Sequence, residues 1–298
     1  MKPRISVITP SYNQGTYIER TIDSVLSQQI DGLEYLIIDG GSTDETLSIL
    51  KRYDNRLYWV SEPDNGHSDA INKGVGLSSS PIIGWLNSDD VYCPGALQKV
   101  VTYFDRHPEV EVVYGEAYHI DENDHVIEAY PTEPWNWERL KEVCFISQPA
   151  AFLRRRVFDD NGPLDVSLRY SMDYEYWLRL GKNGARFAYL PEVLACTRLH
   201  DEAATLAKRV ACHEAINDFT RGHFGKTPDR WIFNYAHAVV ETVGFSRSYR
   251  LVFAIAVSAV SWYASLRWNG GVSSEILRTT ARWIGDSARF TIREVFAR

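Results

Sequence analysis

Residues 82–90 read Ile82-Ile83-Gly84-Trp85-Leu86-Asn87-Ser88-Asp89-Asp90, an apolar run that ends on an amide and two carboxylates. A second apolar run, Leu36-Ile37-Ile38-Asp39, also ends on an acid. Short apolar runs of this kind are typical of buried strands, and open α/β sheets bind ligands at the carboxyl ends of their strands. Acids at that edge can hold a hard divalent cation, which takes one or two carboxylates and bridges substrate phosphates. The two runs therefore predict an enzyme for a metal-bound substrate that carries phosphate.

Strand-like and helix-like patterns alternate through the amino-terminal part of the chain. The strand-like runs are Arg4–Thr9, Leu33–Asp39, Leu57–Ser61, Ile82–Asn87 and Val110–Tyr114. The segments with helical spacing are Tyr17–Gln29, a segment from Ser42 or Thr43 through Leu50, Ser68–Gly74, and a segment from Pro94 through Phe104. Strands separated by helical patterns indicate βαβ units, so we predict an α/β fold with a mainly parallel sheet flanked by helices.

The pattern becomes less regular after residue 115. Helical spacing returns at Arg154–Asp159, Asp173–Leu180 and Ala203–Gly222, and two short strand-like runs, Phe187–Leu190 and Val193–Thr197, precede His200. We expect a large α/β domain over residues 1–222, with a first half at 1–115 and a second half at 116–222. A helical extension is expected over residues 223–298.

The charge of the chain is unevenly distributed. Of its 298 residues 45% are hydrophobic and 24% are charged, as in a globular protein with a sizeable core. The net charge is −7, yet from Gly244 onward there are eight arginines against three acidic residues. We therefore expect no nucleic acid as a partner of the acidic body, and an anionic partner, such as a membrane surface, for the basic tail.

The amino terminus and the cysteines predict a cytoplasmic protein. A short strand-like run, and no long apolar segment, follows Met1-Lys2-Pro3-Arg4, so we expect no signal peptide. The four cysteines are widely spaced and form no Cys-x-x-Cys pair. Such cysteines are typical of free thiols in a reducing compartment, and they indicate neither disulfides nor zinc.

Six motifs follow one another between residues 5 and 205. They are Ser6-Val7-Ile8-Thr9-Pro10-Ser11-Tyr12-Asn13, Ile38-Asp39-Gly40-Gly41-Ser42-Thr43-Asp44, Asn65-Gly66 with Asn72-Lys73-Gly74, Asn87-Ser88-Asp89-Asp90, Met172-Asp173-Tyr174-Glu175-Tyr176-Trp177-Leu178-Arg179, and Arg198-Leu199-His200. In their order and spacing these motifs resemble the inverting glycosyltransferases of family 2. The resemblance implies a GT-A fold, the Rossmann-like fold of nucleotide-diphosphosugar transferases.

For the donor, the resemblance implies that Asp39 recognises the base. A carboxylate at this strand end can accept a hydrogen bond from the imide N–H of uracil or thymine, so a UDP-sugar is the expected donor. Tyr12 could stack on the same base through its ring. The alternatives are that Asp39 only ties the following turn and that Tyr12 only packs. The resemblance also assigns nucleotide-sugar binding to Pro10, Asp64, Asn72, Asn87 and Ser88.

For the metal, the resemblance equates Asn87-x-Asp89 with the DxD motif of the family. Asp89 then becomes a metal ligand, whereas Asn87, which replaces the first acid, adds no charge. His200 is the second candidate ligand, although a lone histidine is more often structural. Mg²⁺ or Mn²⁺ is the expected cofactor, because a cation on the leaving diphosphate stabilises its developing charge. For Asp90 we favour a turn-forming role.

Asp173 is the candidate general base, because it occupies the second position of the acidic pair of the family. The first position is Met172, so no adjacent carboxylate raises the pKa of Asp173. A carboxylate at a helix N-terminus is also stabilised as the anion, which suits a base that deprotonates an acceptor hydroxyl. Attack from the face opposite the leaving diphosphate gives inversion. The alternative role for Asp173 is simple helix capping.

The carboxy-terminal tail contains two apolar patterns. Between Arg250 and Arg267 lie 16 uncharged residues, fewer than the roughly 20 that a spanning helix needs. Between residues 276 and 295 an apolar stripe runs beside a stripe formed by Arg278, Arg282, Arg289 and Arg293. This pattern is typical of a helix that lies on an anionic bilayer, which predicts a peripheral position at the inner face of the membrane. The alternatives are packing on the catalytic domain or on a second subunit, which would make the chain a homo-oligomer.

We therefore predict a metal-dependent inverting glycosyltransferase. It would move a sugar from a UDP-linked donor to a hydroxyl of a glycan or lipid-linked acceptor, in surface polysaccharide or glycoconjugate biosynthesis. Two alternatives stay open. A sugar nucleotidyltransferase normally opens with a phosphate loop rich in glycine and arginine, which Thr9–Gly15 lacks. A catalytically inactive relative that binds nucleotide sugars is kept open by Asn87 and Met172.

Overall fold

The computed structural model describes residues 3–200 and 208–296 of the chain. These residues form two compact units, which divide between Ala203 and Ala204. The predicted boundary at residue 222 differs from this division, because the helix Arg209–Phe224 groups with the helices that follow it. The predicted start of that helix, at Ala203, lies outside the described residues.

The first unit is an α/β structure. Its strands are β1 (Ile5–Ser11), β2 (Leu33–Asp39), β3 (Tyr58–Ser61), β4 (Ile82–Trp85), β5 (Val91–Tyr92), β6 (Val112–Ile120), β7 (Val126–Ala129), β8 (Ala151–Arg154) and β9 (Phe187–Arg198). Its helices are α1 (Ile18–Leu26), α2 (Thr46–Lys51), α3 (His67–Leu77), α4 (Ala96–Arg106), α5 (Trp137–Glu142), α6 (Arg156–Asn161) and α7 (Met172–Lys182). The predicted α/β class is confirmed.

Among the described residues the strands form one sheet in the order β3-β2-β1-β4-β8-β6-β9-β5, with β7 paired to β6. The pairs β3–β2, β2–β1, β1–β4 and β6–β9 are parallel. The pairs β4–β8, β8–β6, β6–β7 and β9–β5 are antiparallel. The βαβ repeat therefore builds the first four strands. Among the later strands, β6 and β9 run in the same direction as these four, and β5, β7 and β8 run in the opposite direction.

The central strands are apolar because helices cover both faces of the sheet. Every residue of β1 and β4 is buried. On one face Val7 packs in a cluster with Ile22 of α1 and Leu97 of α4. On the other face α3 lies so close that a Cβ atom on Gly74 would be 2.4 Å from Cγ2 of Ile8. These contacts hold β1 between the helices on the two faces of the sheet.

The last long strand differs from its prediction. We expected two strands, Phe187–Leu190 and Val193–Thr197, and the structure has one continuous strand, β9. Its pairing with β6 shifts where Gly115 faces Leu190 and Glu116 faces Val193, so two residues bulge out between them. The predicted break is thus a β-bulge, which interrupts the pattern without ending the strand.

The second unit, as far as it is described, is helical. Its helices are α8 (Arg209–Phe224), α9 (Asp229–Thr242), α10 (Arg250–Asn269) and α11 (Ser274–Phe296). Two apolar clusters join them: one contains Ile232, Trp268 and Ile276, and the other contains Val240 and Val257. Within the described residues, α10 alone is long and apolar enough to cross a membrane, with a mean hydropathy of 1.4 and 44% of its most apolar window buried in the protein.

Candidate active site

Four parallel strands end at one edge of the sheet, in the order β3, β2, β1 and β4. Backbone hydrogen bonds continue past their ends: Gly40 donates its N–H to the carbonyl of Ser11 at 2.8 Å, and Leu86 donates to Ile8 at 3.0 Å. The loops that follow β1, β2 and β4 therefore leave the sheet together. This is the edge at which open α/β sheets bind their ligands.

The carboxylate of Asp39 is buried and organises the turn after β2. Its Oδ2 accepts the N–H groups of Gly41 at 3.1 Å and Ser42 at 2.9 Å, and the hydroxyl of Ser61 at 2.6 Å. Its Oδ1 accepts the hydroxyl of Ser42 at 2.5 Å. Asp39 thus has the turn-tying role that we named as the alternative. Because a carboxylate oxygen has about two acceptor sites, Oδ1 can also take a hydrogen bond from a ligand.

Asp64 lies next to Asp39, over the strand end. A Cβ atom on Gly40 would be 2.9 Å from Oδ2 of Asp64, and Oδ1 of Asp64 accepts the N–H of Gly66 at 2.8 Å. Burial raises the pKa of Asp64, the N–H of Gly66 lowers it, and the carboxylates of Asp69 and Asp39 raise it further. The net shift of the pKa is upward, as expected for a carboxylate with other carboxylates nearby.

Both polar atoms of the Asn87 side chain are hydrogen-bonded within the protein. Its Oδ1 accepts Nε1–H of Trp85 at 3.0 Å, and its Nδ2 donates to Oδ2 of Asp90 at 3.1 Å. Oδ1 of Asp90 accepts the backbone N–H of Arg198 at 2.9 Å. Burial, together with the neighbouring carboxylate of Asp89, raises the pKa of Asp90 well above its ordinary value. Asp90 therefore ties the loop after β4 to the end of β9.

Asp89 and His200 are in contact although 111 residues separate them. Nε2 of His200 lies 3.0 Å from Oδ2 of Asp89, and the two side chains are 5% and 22% exposed. The imidazole also packs on the ring of Tyr17 at a centroid distance of 4.9 Å. The fold thus brings together the two residues that the sequence predicted as metal ligands.

The guanidinium of Arg198 is fully buried and holds this contact in place. It donates from Nε to the carbonyl of Asp89 at 2.8 Å, from Nη1 to the carbonyl of Asp121 at 2.7 Å, and from Nη2 to the carboxylate of Asp124. It also stacks over Tyr17 at 5.1 Å. Sequence reasoning singled out His200 and gave Arg198 no role, because the five donors of arginine find their partners only through the fold.

His67, at the start of α3, is a further residue that sequence reasoning missed. Its ring packs on Trp85 at 5.5 Å, and burial lowers its pKa to about 4, although Asp89 and Asn87 raise it. The imidazole is therefore neutral at pH 7, with its Nε2 buried and without a hydrogen-bond partner. The signal in the sequence is the histidine directly after Asn65-Gly66, where a helix begins.

Other buried polar atoms around this edge also lack partners. They are Oγ of Ser11, Oε1 of Gln14, Oγ of Ser68 and Oε1 of Gln148. Gln148 lies here because its Nε2 donates to the carbonyl of Trp85 at 2.6 Å. Buried polar atoms in native proteins are nearly always hydrogen-bonded, so such a cluster is typical of a site that is completed by a polar ligand.

Asp173 is placed by α7, two residues after Ser171, which has a left-handed backbone with φ of 55°. We expected the helix terminus to keep the pKa of Asp173 low. Burial instead raises the pKa, and the N–H groups of Tyr174 and of Asp173 itself offset only part of that rise. Its electrostatic neighbours are Tyr130 and Cys144. A raised pKa makes the carboxylate a stronger base, and the convergence of Asp173 with Asp39 and Asp89 stays a prediction.

Three of the residues predicted to bind the nucleotide sugar have different surroundings. Tyr12 is 62% exposed, so its ring is accessible to a base. Pro10 is buried within β1. Ser88 is buried, and its carbonyl accepts the hydroxyl of Thr21 at 2.9 Å. Of the three, Tyr12 has the surroundings that stacking requires.

Asn72 is engaged in a structural contact. Its Nδ2 donates to the carbonyl of Leu164, and its Oδ1 accepts the N–H of Leu164, both at 2.9 Å. The amide thus fastens α3 to the segment that follows α6. Both polar atoms of the side chain thus have partners in the protein. Donor binding by Asn72 stays a prediction.

The pair of Asp89 and His200 offers one oxygen and one nitrogen to a cation. Within residues 3–200 and 208–296 no group of three or more His, Cys, Asp and Glu side chains is placed to hold a metal ion. Two protein ligands suffice for a cation that arrives with a diphosphate, because its other positions are filled by phosphate oxygens and water. The donor set fits such a cation.

Comparison with known proteins agrees with this architecture. The sequence model of "Glycosyl transferase family 2" matches residues 6–162. The chain is 26% identical to an uncharacterized glycosyltransferase of Rickettsia prowazekii over 68% of its own length and 66% of that protein. It is 30% identical to a chondroitin synthase of Escherichia coli over 69% of its own length, but only 30% of that protein. The chain thus spans less than a third of this polysaccharide synthase.

Solved structures show the same fold. TarS from S. aureus, residues 1–349 in complex with UDP-GlcNAc, superposes with a TM-score of 0.63 at 16% identity, over 99% of this chain and 91% of that one. The mannosyltransferase PcManGT from Pyrobaculum calidifontis, in complex with GDP-Man and Mn²⁺, superposes with a TM-score of 0.59 at 17% identity, over 97% of this chain and 85% of that one. Because the family match extends over more than half of the chain, and the α/β sheet is that of GT-A transferases, this protein belongs to glycosyltransferase family 2.

Proposed function

We propose that this protein transfers a sugar from a UDP-linked donor to a hydroxyl of a glycan or lipid-linked acceptor, with inversion at the anomeric carbon. The observation that carries the proposal is the contact between Asp89 and His200 at the sheet edge that also bears Asp39. A carboxylate and an imidazole at this edge are suited to a cation-bound diphosphate, and Asp39 is suited to its base.

The donor site is assigned from hydrogen-bonding chemistry. Oδ1 of Asp39 is within a rigid turn and can accept one further hydrogen bond, which the imide N–H of uracil can donate. Tyr12 directly follows the end of β1 and is exposed, so its ring can cover a base. The complex of TarS with UDP-GlcNAc supports a uridine nucleotide, whereas that of PcManGT with GDP-Man shows that the fold also accommodates a purine.

Asp89 and His200 would hold the divalent cation. When bound, the cation would supply Lewis-acid stabilisation to the leaving diphosphate. Carboxylates suit Mg²⁺ and Mn²⁺, whereas an imidazole ligand suits softer metals, so the mixed pair favours Mn²⁺ over Mg²⁺. The complex of PcManGT with Mn²⁺ supports this choice. Arg198 holds the backbone of Asp89 and thereby orients the carboxylate.

Asp173 would act as the general base. Its pKa, raised by burial, makes it a better proton acceptor than an exposed aspartate. It would take the proton of the acceptor hydroxyl while that oxygen attacks the anomeric carbon. A single displacement of this kind inverts the configuration.

The acceptor is proposed at the level of its chemistry. The relatives include the chondroitin synthase and a hyaluronan synthase of Pasteurella multocida at 28% identity, both named for a polysaccharide product. We therefore expect a sugar hydroxyl, on a glycan or on a lipid-linked precursor of surface polysaccharide, as the acceptor.

The test uses the full chain with Mn²⁺ and a panel of UDP-, GDP-, TDP- and CMP-sugars. We expect hydrolysis or transfer with a UDP-sugar, and NMR of the product should show the anomeric configuration inverted. Turnover confined to another nucleotide would contradict the role of Asp39, and a retained configuration would contradict the role of Asp173. Nucleotide binding without turnover of any sugar would instead support the catalytically inactive alternative.

A further inference from the structure

The helical unit has an exposed apolar face on α10. Its exposed residues recur at helical spacing and are Val252, Ile255, Ala259, Trp262, Tyr263 and Leu266. The large side chains among them are 40–62% exposed. Of the fifteen large hydrophobic side chains that are exposed among the described residues, nine lie in this unit. Patches of this kind on soluble proteins mark interaction surfaces.

The opposite face of α10 buries Phe253, Val257 and Trp268 together with polar residues. It includes Ser258, Ser261 and Ser265, which are buried against the neighbouring helices. Ser258 and Ser261 donate to carbonyls of their own helix at 2.7 and 2.8 Å, and Ser265 donates to the carbonyl of Gly271 at 2.7 Å. In a helix whose outer face meets only water the serines would lie outside and the Val, Ile and Leu inside. The arrangement of α10 indicates an apolar medium outside.

The exposed face, which we call the α10 face, has basic residues at its two ends, and further arginines are exposed on the neighbouring helix. Arg250 and Arg267 stand at the two ends of the apolar run. On α11, Arg278 and Arg289 have side chains 73% and 82% exposed; their partners Glu275 and Asp286 are exposed too, and such pairs are weak. Over residues 204–298 there are 13 basic and 7 acidic side chains, against a net charge of −7 for the whole protein. The border is therefore suited to negative charge.

We propose that the α10 face lies in the interface of an anionic lipid bilayer. The apolar side chains from Val252 to Leu266 extend over about 21 Å of helix. This length is enough for the helix to lie in the plane of the headgroup region. Trp262 and Tyr263 are the residue types that concentrate at the boundary between water and lipid. Arg267 is paired with Glu214 at 2.6 Å, so Arg250 and the exposed arginines of α11 would meet lipid phosphates.

Charge argues against a second copy of the chain as the occupant. Two such faces would bring together two units of the same positive sign, whereas an anionic surface attracts both the arginines and the apolar side chains. A spanning orientation of α10 is disfavoured because its other face is packed on α9 and α11. In-plane binding leaves those contacts intact.

The exposed apolar surface lies on a different helix from the one that the sequence suggested. The sequence placed the apolar stripe on residues 276–295, and among its described side chains Leu277 and Ala281 are exposed whereas Ile284 and Ala288 are partly buried. The continuous apolar surface belongs to α10 instead. Since the proposal depends only on this surface and its charge, it stands apart from the proposed transfer reaction.

The experiment measures binding of the full chain to vesicles by flotation. The vesicles contain phosphatidylcholine alone or phosphatidylcholine mixed with phosphatidylglycerol. We expect binding to the mixed vesicles only, and weaker binding as salt is raised, because the arginine contribution is screened. Extraction by high salt or alkaline carbonate should release the protein, as for an interfacial helix.

Two variants assign the binding to the α10 face. The triple variant Ile255→Ser/Tyr263→Ser/Leu266→Ser should lower the partition coefficient by at least about tenfold, since three exposed apolar anchors are lost. The matched control is Val126→Ser/Ile127→Ser, which removes equally exposed apolar side chains from β7 in the other unit and should bind like the parent. Circular dichroism and thermal unfolding of each variant establish that it is folded.

A double charge variant provides an independent test in case the triple variant does not fold. Arg278→Glu/Arg289→Glu should weaken binding to the mixed vesicles several-fold while binding to neutral vesicles stays absent. The proposal is overturned by failure of the parent chain to float with anionic vesicles, or by unchanged binding of the folded triple variant. It is also overturned if the triple variant converts a dimer to a monomer in light scattering without affecting lipid binding, which would make the face a subunit interface.

Discussion

At the scale of single residues, the environment of Asp173 has the largest consequence for chemistry. A carboxylate at the start of a helix is normally more acidic than in water, and its own backbone N–H and that of Tyr174 act in this direction. Burial next to Tyr130 and Cys144 acts in the other direction and prevails. The sequence could reveal the helix terminus but not the burial, because the segments that carry Tyr130 and Cys144 reach Asp173 only in the folded chain.

The variant Asp173→Asn should strongly lower the rate of sugar transfer and leave UDP binding nearly unchanged. Loss of a general base typically costs 10²–10⁴-fold in rate, and the amide keeps the shape of the side chain, so we expect a fall in kcat of about 10³-fold. Calorimetric titration with UDP and Mn²⁺ measures the binding. Turnover like that of the parent would remove Asp173 from the base role.

The pH dependence of transfer should report the raised pKa of Asp173. A base works as the anion, so activity falls as pH drops through its pKa in the folded protein. Because burial raises that pKa above 3.8, the acid limb of kcat/KM against pH should lie above the range in which an exposed aspartate titrates. UDP binding over the same pH range is the control for loss of donor affinity. An acid limb at or below 3.8 would contradict the effect of burial.

The contact of Asp89 with His200 leads to a metal prediction. In the parent protein EDTA should weaken UDP binding at least about tenfold, because the diphosphate loses the cation that neutralises it. In Asp89→Ala the affinity should already be low and should not respond to EDTA. Asp31→Ala, which removes an exposed acid, is the control and should behave like the parent. Equal UDP affinity of the parent with and without EDTA would count against metal binding here.

At the scale of elements, strong patterns were predictable and short elements were not. The strands β1, β2 and β4 have apolar runs because most of their residues are buried, and together with the edge strand β3 they lie within two residues of their predicted bounds. The strands β5 and β8 have two and four residues and are defined by their partners β9 and β6, which are far away in sequence. Local spacing carries no information about such pairing, so both were missed.

The close packing of α3 on β1 gives a stability prediction with an internal control. A Cβ atom on Gly74 would lie 2.4 Å from Cγ2 of Ile8, whereas Gly76 of the same helix has open space around it. Gly74→Ala should therefore lower the free energy of unfolding by about 1–3 kcal/mol through overpacking. Gly76→Ala should raise it by about 0.5–1 kcal/mol, because alanine is the better helix former. Urea unfolding measures both, and equal effects of the two would contradict the packing of α3.

The same limits apply to the candidate site. The sequence indicated Asp39, Asp89 and His200 because strand ends and motif order are local properties, and the fold places Asp89 against His200. It gave no role to Arg198 or His67, whose functions depend on contacts with distant segments. It also could not show that both polar atoms of Asn72 bond to Leu164.

At the scale of the whole molecule, the division into two units predicts the way in which the protein melts. Each unit has its own apolar clusters, one set around the sheet and the other among α8 to α11. Proteins of this kind need not unfold in one step. We expect two calorimetric transitions. UDP with Mn²⁺ should raise only one, by the equivalent of about 2.7 kcal/mol at a hundredfold excess over Kd.

The identity of the responding transition is testable with a variant. In Asp89→Ala neither transition should move when UDP and Mn²⁺ are added, whereas the triple variant of the α10 face should respond like the parent. A single transition in the parent, or an upward shift of both transitions on adding ligand, would contradict independent units.

The double tether of Asn87 has a consequence for substitution at this position. An aspartate there would set a second carboxylate about 3.1 Å from Oδ2 of the buried Asp90, where the amide now donates a hydrogen bond. Two carboxylates this close do not both ionise readily, so one of them would retain a proton. The amide thus holds the loop after β4 with a neutral donor, and Asn87→Asp would make that hold depend on pH.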